Sequence, residues 1–496
     1  MAADLSSLMH GFAVALQWHN LAFMLLGLVL GVIIGVLPGL GGANGIAILL
    51  PLTFSMEPVS AIIMLSCIYW GALFGGAITS ILFNIPGEPW SVATTFDGYP
   101  MARMGKAAEA LTTAFTGSFV GALFAIIIIT LVAPSVASLA LRFGPPELFA
   151  VMFLAFAAFV GMGGGSPLKT VAAMMIGFVL AAVGLDTITG QLRLTFGSTE
   201  LIRGFDFLVV VIGLFGLSEV FLSIEEGLAF RGGKARITLA DVWRTWKIFA
   251  SHWALALRSC VIGSLMGITP AGATPASFMS YGIAKRTSAD GDTFGKGNIK
   301  GVIAPETAAH AAGTSALLPM LALGIPGSPT AAVLLGGLMM WGLQPGPMLF
   351  VEQKDFVWGL IASMYVGNVV GLFIVLACVP WFAAILRVPF AIIAGLILVL
   401  CAIGAFTVKN AEFDIITMLV FGIVGYVMKK LDYPLAPLVL AVVLGDRTEQ
   451  AFRQSLLLSQ GDLSIFATRP ITAGLMAVAF AVLFLPRVRR FRQRTA

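Results

Sequence analysis

The sequence predicts an all-α polytopic membrane protein of two inverted structural repeats, with broken helices, re-entrant hairpins and roughly 11–12 transmembrane helices. Three observations predict it. Of 496 residues, 59% are hydrophobic and only 11% are charged, less than half of the ~25% charged that soluble domains carry. Apolar runs of about 20 residues, enough to cross a bilayer core about 30 Å thick, recur along the whole chain. Proline–glycine breaks interrupt those runs at matching places in two halves. A soluble enzyme and a disordered protein are both excluded by this composition.

The expected apolar segments are, in order, 17–36, 59–83, 107–132, 146–162, 168–185, 205–224, 253–269, 303–323, 330–343, 357–379, 389–407, 413–428, 434–445 and 471–486. Residues 43–54, 330–343 and 434–445 are too short to cross alone and read as half-helices or re-entrant arms. The net charge of +5 reflects 29 basic and 24 acidic residues. The basic ones cluster only at 231–247 and from Arg487 to Arg494, beside spans, where such clusters set topology and not nucleic-acid affinity. Cys67, Cys260, Cys378 and Cys401 lie in apolar runs without a CxxC pair, so they read as small buried hydrophobes. No basic region precedes the first apolar run. A removable signal peptide is not expected, and the first span acts as its own insertion signal.

The breaks are more informative than the spans. The first is Leu37-Pro38-Gly39-Leu40-Gly41-Gly42 and the second Asn84-Ile85-Pro86-Gly87-Glu88-Pro89. The third runs from Thr269 and Pro270 to Thr274 and Pro275, and the fourth is Gly324-Ile325-Pro326-Gly327-Ser328-Pro329. Broken backbone in a bilayer is tolerated only where protein or a water-filled cavity satisfies it. Pro38 and Pro270 are 232 residues apart, and the two Ile-Pro-Gly-x-Pro motifs 240 apart. Gly117-x-x-x-Gly121 recurs at Gly367 and Gly371, Pro134 with Leu141-Arg142 at Pro380 with Leu386-Arg387, and Gly177 at Gly422. The order is kept throughout, which marks an internal duplication. The expected organisation is a first repeat at 1–224, a basic cytoplasmic linker at 225–252, a second repeat at 253–455, and an extra span with a basic tail at 456–496. Residues 1–20 carry no Lys or Arg, whereas the linker and the C-terminus are basic. The N-terminus is therefore expected outside and the linker inside, which inverts the repeats.

A half-helix that starts in mid-membrane exposes unpaired N–H groups and the positive end of its dipole. Such ends suit anions, carboxylates above all. Glycines let a ligand approach the backbone, and hydroxyl or amide groups add directional hydrogen bonds. The candidate substrate-binding residues are Gly39, Gly41, Gly42, Asn44, Asn84, Pro86, Gly87, Thr274, Ser277, Gly327 and Ser328. Candidates for ion or proton coupling are Glu88, at the tip of the second break, and Glu306 with His310, which lie four apart on one helical face. Glu88 can equally cap, and Glu306–His310 can equally be an interfacial pair. Glycine stripes at Gly27, Gly31, Gly35 and at Gly71 and Gly75 read as close helix packing. Arg258 reads as snorkelling, and Asp186, Glu219 and Asp446 as facing water. Neither HExxH nor GxSxG occurs, and the four histidines are scattered, so no enzyme is expected and no cofactor; the metal question stays open.

These residues resemble the large membrane permease subunit of the tripartite tricarboxylate transporter family. The resemblance runs nearly end to end. It rests on GVLPGLGG at 35–42, LLPLTF at 49–54 and NIPGEPWSVATTFDGYPMAR at 84–103. In the second half it rests on ASFMSYGIAKR at 276–286, FGKG at 294–297, GVIAPE at 301–306, LGIPGS at 323–328 and LQPGP at 343–347. The resemblance implies a multi-pass protein of the bacterial inner membrane that imports small carboxylates, tricarboxylate or dicarboxylate, by sodium or proton symport. It also implies a small four-span membrane subunit, a periplasmic solute-binding protein and an elevator motion. In the family pattern two adjacent asparagines follow the Pro-Glu, where this chain has Ala309 and His310. The particular carboxylate, the coupling ion and the oligomeric state stay open. A carboxylate channel or uniporter is the alternative, and an intramembrane enzyme using Glu306 and His310 a more distant one.

Overall fold

The computed structural model describes residues 2–37, 40–162, 166–186, 189–226, 236–269, 272–385, 388 and 390–495. Pro38, Gly39, Pro270, Ala271, Leu386, Arg387 and the linker residues Arg231 and Lys234 lie outside the described residues. The first half contains α1 (Ala2–Ala15), α2 (Trp18–Val36), α3 (Gly41–Leu49), α4 (Pro58–Phe83), α5 (Val92–Arg103), α6 (Ala107–Ala140), α7 (Pro145–Met162) and α8 (Pro167–Ala181). A two-stranded hairpin pairs Gly184–Leu185 with Leu192–Arg193. One continuous helical stretch then follows, α9 (Phe207–Val211), a π turn at Ile212–Leu217 and α10 (Ser218–Glu226).

The second half follows. It contains α11 (Leu239–Ser251), α12 (Trp253–Ile268), α13 (Ala273–Thr287), α14 (Lys300–Ser315), α15 (Leu317–Leu323), α16 (Pro329–Met340) and the short α17 (Leu349–Glu352). The long α18 (Lys354–Ile385), α19 (Phe390–Lys409), α20 (Glu412–Lys430) and α21 (Leu435–Leu458) follow, then α22 (Ile465–Thr468) and α23 (Pro470–Thr495). Proline opens α4, α8 and α16 within their first two positions, where its missing N–H has no helical partner to lose.

Glycine stripes set the helix directions. A β-carbon on Gly27, Gly31 or Gly35 would meet the carbonyl oxygen of Met64, Ile68 or Ala72 at 2.2–2.4 Å, so α2 and α4 run parallel in near-backbone contact. Gly263 faces Ala308 and Gly267 faces Ala312, which makes α12 parallel to α14. Gly117 and Gly121 place α6 parallel to α14 in the same way. Asn368 Nδ2 donates to the Phe119 carbonyl, and Tyr365 meets Thr130 at 2.9 Å, so α18 runs against α6. Gly359 and Gly371 face Val59 and Phe74, so α18 runs with α4. Hence α2, α4 and α18 share one direction, and α6, α12 and α14 share the other. Contacts are exchanged between halves: α1 lies on α18 and α11 on α6, while α8 meets α21 and α20 meets the π turn. Trp246 of α11 anchors this arrangement by donating its indole N–H to Thr116 Oγ1 at 3.0 Å. A 77° bend separates α11 from α12.

Six described helices are long and apolar enough to cross a membrane, or seven if α11 and α12 count as one span. Five more apolar helices are shorter. The gap from the expected 11–12 crossings arises because the breaks and turns cut apolar sequence into pieces below full-span length. Segment 434–445 is not a half-helix. It opens the 24-residue α21, whose charged continuation is held helical by Arg453, which pairs with Glu449 at 2.5 Å and Asp186 at 3.0 Å. Asp186 and Glu219 do not simply face water: Asp186 is 4% exposed, and Glu219 pairs with Lys429. Arg258 is half-buried and donates to Thr287 Oγ1 at 2.8 Å.

Candidate functional site

All four breaks lie close together in the fold, and their residues form one connected cluster. At the first, α2 ends at Leu37 and α3 restarts at Gly41 with φ +57°. Gly39 lies outside the described residues. At the second, Asn84 takes a left-handed conformation with φ 59° and ends α4. The chain then dips back, so that a β-carbon on Gly87 would stand 2.6 Å from the Gly35 carbonyl oxygen and 2.7 Å from Gly76 Cα. The fourth break repeats this step by step. Gly324 is left-handed with φ 72°, and a β-carbon on Gly327 would stand 2.6 Å from the Gly267 carbonyl oxygen and 2.9 Å from Ala316 Cα.

Glu88 joins the first two breaks. Its carboxylate, 8% exposed, accepts the Gly42 N–H at 2.5 Å in the first turn of α3. A β-carbon on Gly41 would come within 3.1 Å of the Glu88 carboxyl carbon, so glycine there leaves room for the carboxylate. Ser91 closes a capping box with Glu88, its hydroxyl donating to the Glu88 carbonyl at 2.7 Å. The first break also meets the fourth, since Thr330 Cγ2 lies 3.5 Å from where a Gly42 β-carbon would stand. Tyr69 spans this junction. Its phenol donates to the Gly313 carbonyl at 3.1 Å, and its ring lies 3.2 Å from where a Gly42 β-carbon would stand. The second break meets the third, where Ser277 Oγ donates to the Trp90 carbonyl at 2.7 Å.

The helix ends differ in how they are satisfied. Ser328 Oγ accepts the Ala331 N–H at 3.1 Å and so caps α16. The end of α13 follows Gly272, at φ +77°, and has no side-chain cap, with half-buried Thr274 in its first turn. Asn44 is buried on α3, and Pro86 is half-buried in its loop. Asn84 is exposed, and what it contributes here is conformational: Gly324, at the corresponding place in the fourth break, shows the same left-handed cap.

Glu306 and His310 lie in the neighbouring part of α14, 2% and 0% exposed. Glu306 accepts hydrogen bonds from Thr94 Oγ1 of α5 at 2.6 Å and Ser118 Oγ of α6 at 3.2 Å. His310 Nδ1 lies 3.2 Å from the Glu306 carbonyl oxygen and 3.6 Å from Glu306 Oε2. Among the described residues no three His, Cys, Asp or Glu side chains gather as a metal site.

Sequence reasoning overlooked Tyr69, Thr94, Ser118 and Asp97. Asp97, fully buried on α5, accepts backbone N–H groups from Gly295, Gly297 and Asn298 at 2.7–2.9 Å and the Tyr281 hydroxyl at 2.9 Å. It pins the α13–α14 loop to the arm that follows the second break. In that loop the Lys300 ammonium, 2.7 Å away, holds the Asp290 carboxyl below its ordinary range. The available signal for Asp97 was its place inside Phe-Asp-Gly-Tyr-Pro directly after a break. Tyr69 carried none, since its partners are some 240 residues away.

The chain is similar to the uncharacterized 52.8 kDa protein in the TAR-I ttuC' 3' region of Agrobacterium vitis, 38% identical over 494 residues, 99% of this chain and 98% of that one. It is also similar to an uncharacterized protein in the TAR-II ttuC' 3' region of the same organism, 36% identical over 236 residues, 47% of this chain and 98% of that one. No solved structure matches. The model of the tripartite tricarboxylate transporter TctA family matches residues 21–440, a stretch that holds all four breaks. Paired breaks, long apolar helices and this match give one conclusion: the chain belongs to the TctA family, the membrane permeases of tripartite tricarboxylate transporters.

Proposed function

We propose that this chain imports small carboxylates, tricarboxylate or dicarboxylate, across the bacterial inner membrane by symport with sodium or protons. A periplasmic binding protein delivers the substrate, and a small four-span subunit completes the complex. The observation that carries this reading is Glu88 on Gly42: a carboxylate sits on the first-turn N–H of half-helix α3, where the breaks converge. The partial positive charge of a helix N-terminus favours a substrate carboxylate for the same reason. The end of α13, without a side-chain cap, and the end of α16, capped by a hydroxyl, supply further donors.

We read residues 1–224 and 253–455 as inverted repeats about this cluster, with 225–252 as a cytoplasmic linker and 456–496 as an added span. The opposite directions of α2 and α12 and the exchanged contacts support that reading. An elevator motion follows from it, one unit carrying the break cluster past a fixed scaffold. The chain does no chemistry on its substrate.

The test is uptake of labelled citrate, succinate and tartrate into proteoliposomes that hold the chain with its small partner, the binding protein outside. Accumulation that needs the binding protein and one imposed ion gradient is expected. Equilibration without any gradient indicates a channel or uniporter and overturns the symport reading.

A further inference from the structure

We propose that Glu306 and His310 together form a proton-carrying site, so that the ion coupled to transport is the proton. This rests on the permease reading above and names the ion it leaves open.

The geometry makes the case. Both side chains are buried inside α14, four residues apart on one face. Among the described residues, the hydrogen bonds to the Glu306 carboxylate come from neutral hydroxyls, Thr94 and Ser118. Among the described residues, other titratable groups turned toward α14 are Tyr69 from α4, Asp97 from α5 and Tyr281 from α13, while Cys260 of α12 turns to the Val120 carbonyl of α6 and Glu88 to Gly42 of α3. The face of α6 offers threonine, serine and glycine. None of these groups is a cation, and among the described residues no lysine or arginine pairs with the Glu306 carboxylate.

A carbonyl oxygen can only accept, so the hydrogen of the imidazole stands on Nδ1, which points at the Glu306 carbonyl. Nε2 is then left with its lone pair, and it is buried without a partner. Native structures rarely leave such an atom unused. The Phe74 ring packs on the imidazole, with centroids 5.2 Å apart.

One proton completes the site. It adds to Nε2, giving an imidazolium whose charge the Glu306 carboxylate offsets from 3.6 Å, or it adds to the carboxylate itself. Either way the pair passes from one net negative charge to none. A neutral pair crosses the low-dielectric core at far lower cost than a charged one. Sodium would need several oxygen lone pairs directed at it. Here Thr94 spends its hydrogen on Glu306, Ser118 shares its one hydrogen between Glu306 and the Ala114 carbonyl, and the next group is an imidazole.

The site is linked to the substrate cluster. Gly313, one turn after His310, accepts the Tyr69 hydroxyl, and the Tyr69 ring lies against Gly42 at the first break. Thr314, next on the His310 face, has a buried hydroxyl that is likewise without a partner. Loading the pair and filling the break cluster therefore act on the same stretch of α14.

The test is infrared difference spectroscopy of the reconstituted complex, titrated with acid in choline chloride and again in sodium chloride. A band from a protonated carboxyl or an imidazolium ring should grow as pH falls, with the same midpoint in both salts. Glu306→Gln and His310→Asn should each remove it or move its midpoint by about one pH unit or more. Glu88→Gln should leave it. An unchanged midpoint in both α14 variants, a midpoint displaced by sodium, or loss of the band only in Glu88→Gln would each overturn the proposal. Failure of all carboxylate uptake by the unaltered complex would instead overturn the permease reading and leave this titration standing.

Discussion

Replacing Gly87 or Gly327 by valine is expected to abolish carboxylate uptake while the protein remains in the membrane. Each glycine lets a break loop lie directly on a carbonyl of a neighbouring helix, Gly35 of α2 for Gly87 and Gly267 of α12 for Gly327. A β-carbon at 2.6 Å cannot be accommodated, and the obstacle on each side is backbone, which cannot rotate away. Overpacking of this kind costs about 1–3 kcal/mol in a core. Here the loop has a cheaper response, which is to lift off, and lifting it carries Glu88 or Ser328 out of the cluster. Uptake into proteoliposomes, set against protein content by immunoblot, measures the effect. Gly474→Ala serves as control, because nothing lies within 4 Å of the added carbon. Near-normal transport by both valine variants would remove the breaks from the substrate path.

Glu88→Ala is expected to lower uptake by roughly tenfold or more. The carboxylate holds α3 to the second break through Gly42, and its loss strands a buried N–H at a cost of about 1–3 kcal/mol. Glu88→Gln keeps an acceptor for that N–H but gives up the charge-assisted bond, roughly twice as strong as a neutral one. Its uptake should fall between the two. Glu88→Asp, one methylene shorter, should resemble alanine because it falls short of Gly42. The same uptake assay ranks the series, and an unaffected alanine variant would show that the Glu88–Gly42 bond is not needed for transport.

Much of this was legible in the sequence because breaks are local chemistry. Proline and glycine clustered together, as in Ile-Pro-Gly-x-Pro, interrupt apolar helices, and all four such clusters fall where described helices end, whereas the lone Pro134 and Pro380 lie inside α6 and α18. The matched pair Asn84 and Gly324 held a clue that went unused. Asparagine and glycine share the left-handed region, so their alternation at equivalent positions marks a helix cap and not a ligand. What stayed hidden depends on distant partners. Glu88 was placed at a break tip, but that it reaches Gly42 requires two breaks to fold together. Tyr69 and Ser118 sit in apolar helices and acquire meaning only through Gly313 and Glu306. Segment 434–445 misled because its charged continuation resembles a loop until Arg453 finds Asp186, 267 residues away.

The central claim is that carboxylates bind where the broken helices converge. The most direct measurement uses Thr274→Cys, in the first turn of α13 without a side-chain cap, on a background with Cys67, Cys260, Cys378 and Cys401 replaced. Its alkylation by a small maleimide is followed with and without a carboxylate that the complex transports. The account predicts that saturating carboxylate slows labelling by about fivefold or more, while sulfate at equal concentration does not. Equal labelling rates in every condition would place the carboxylate elsewhere in the molecule.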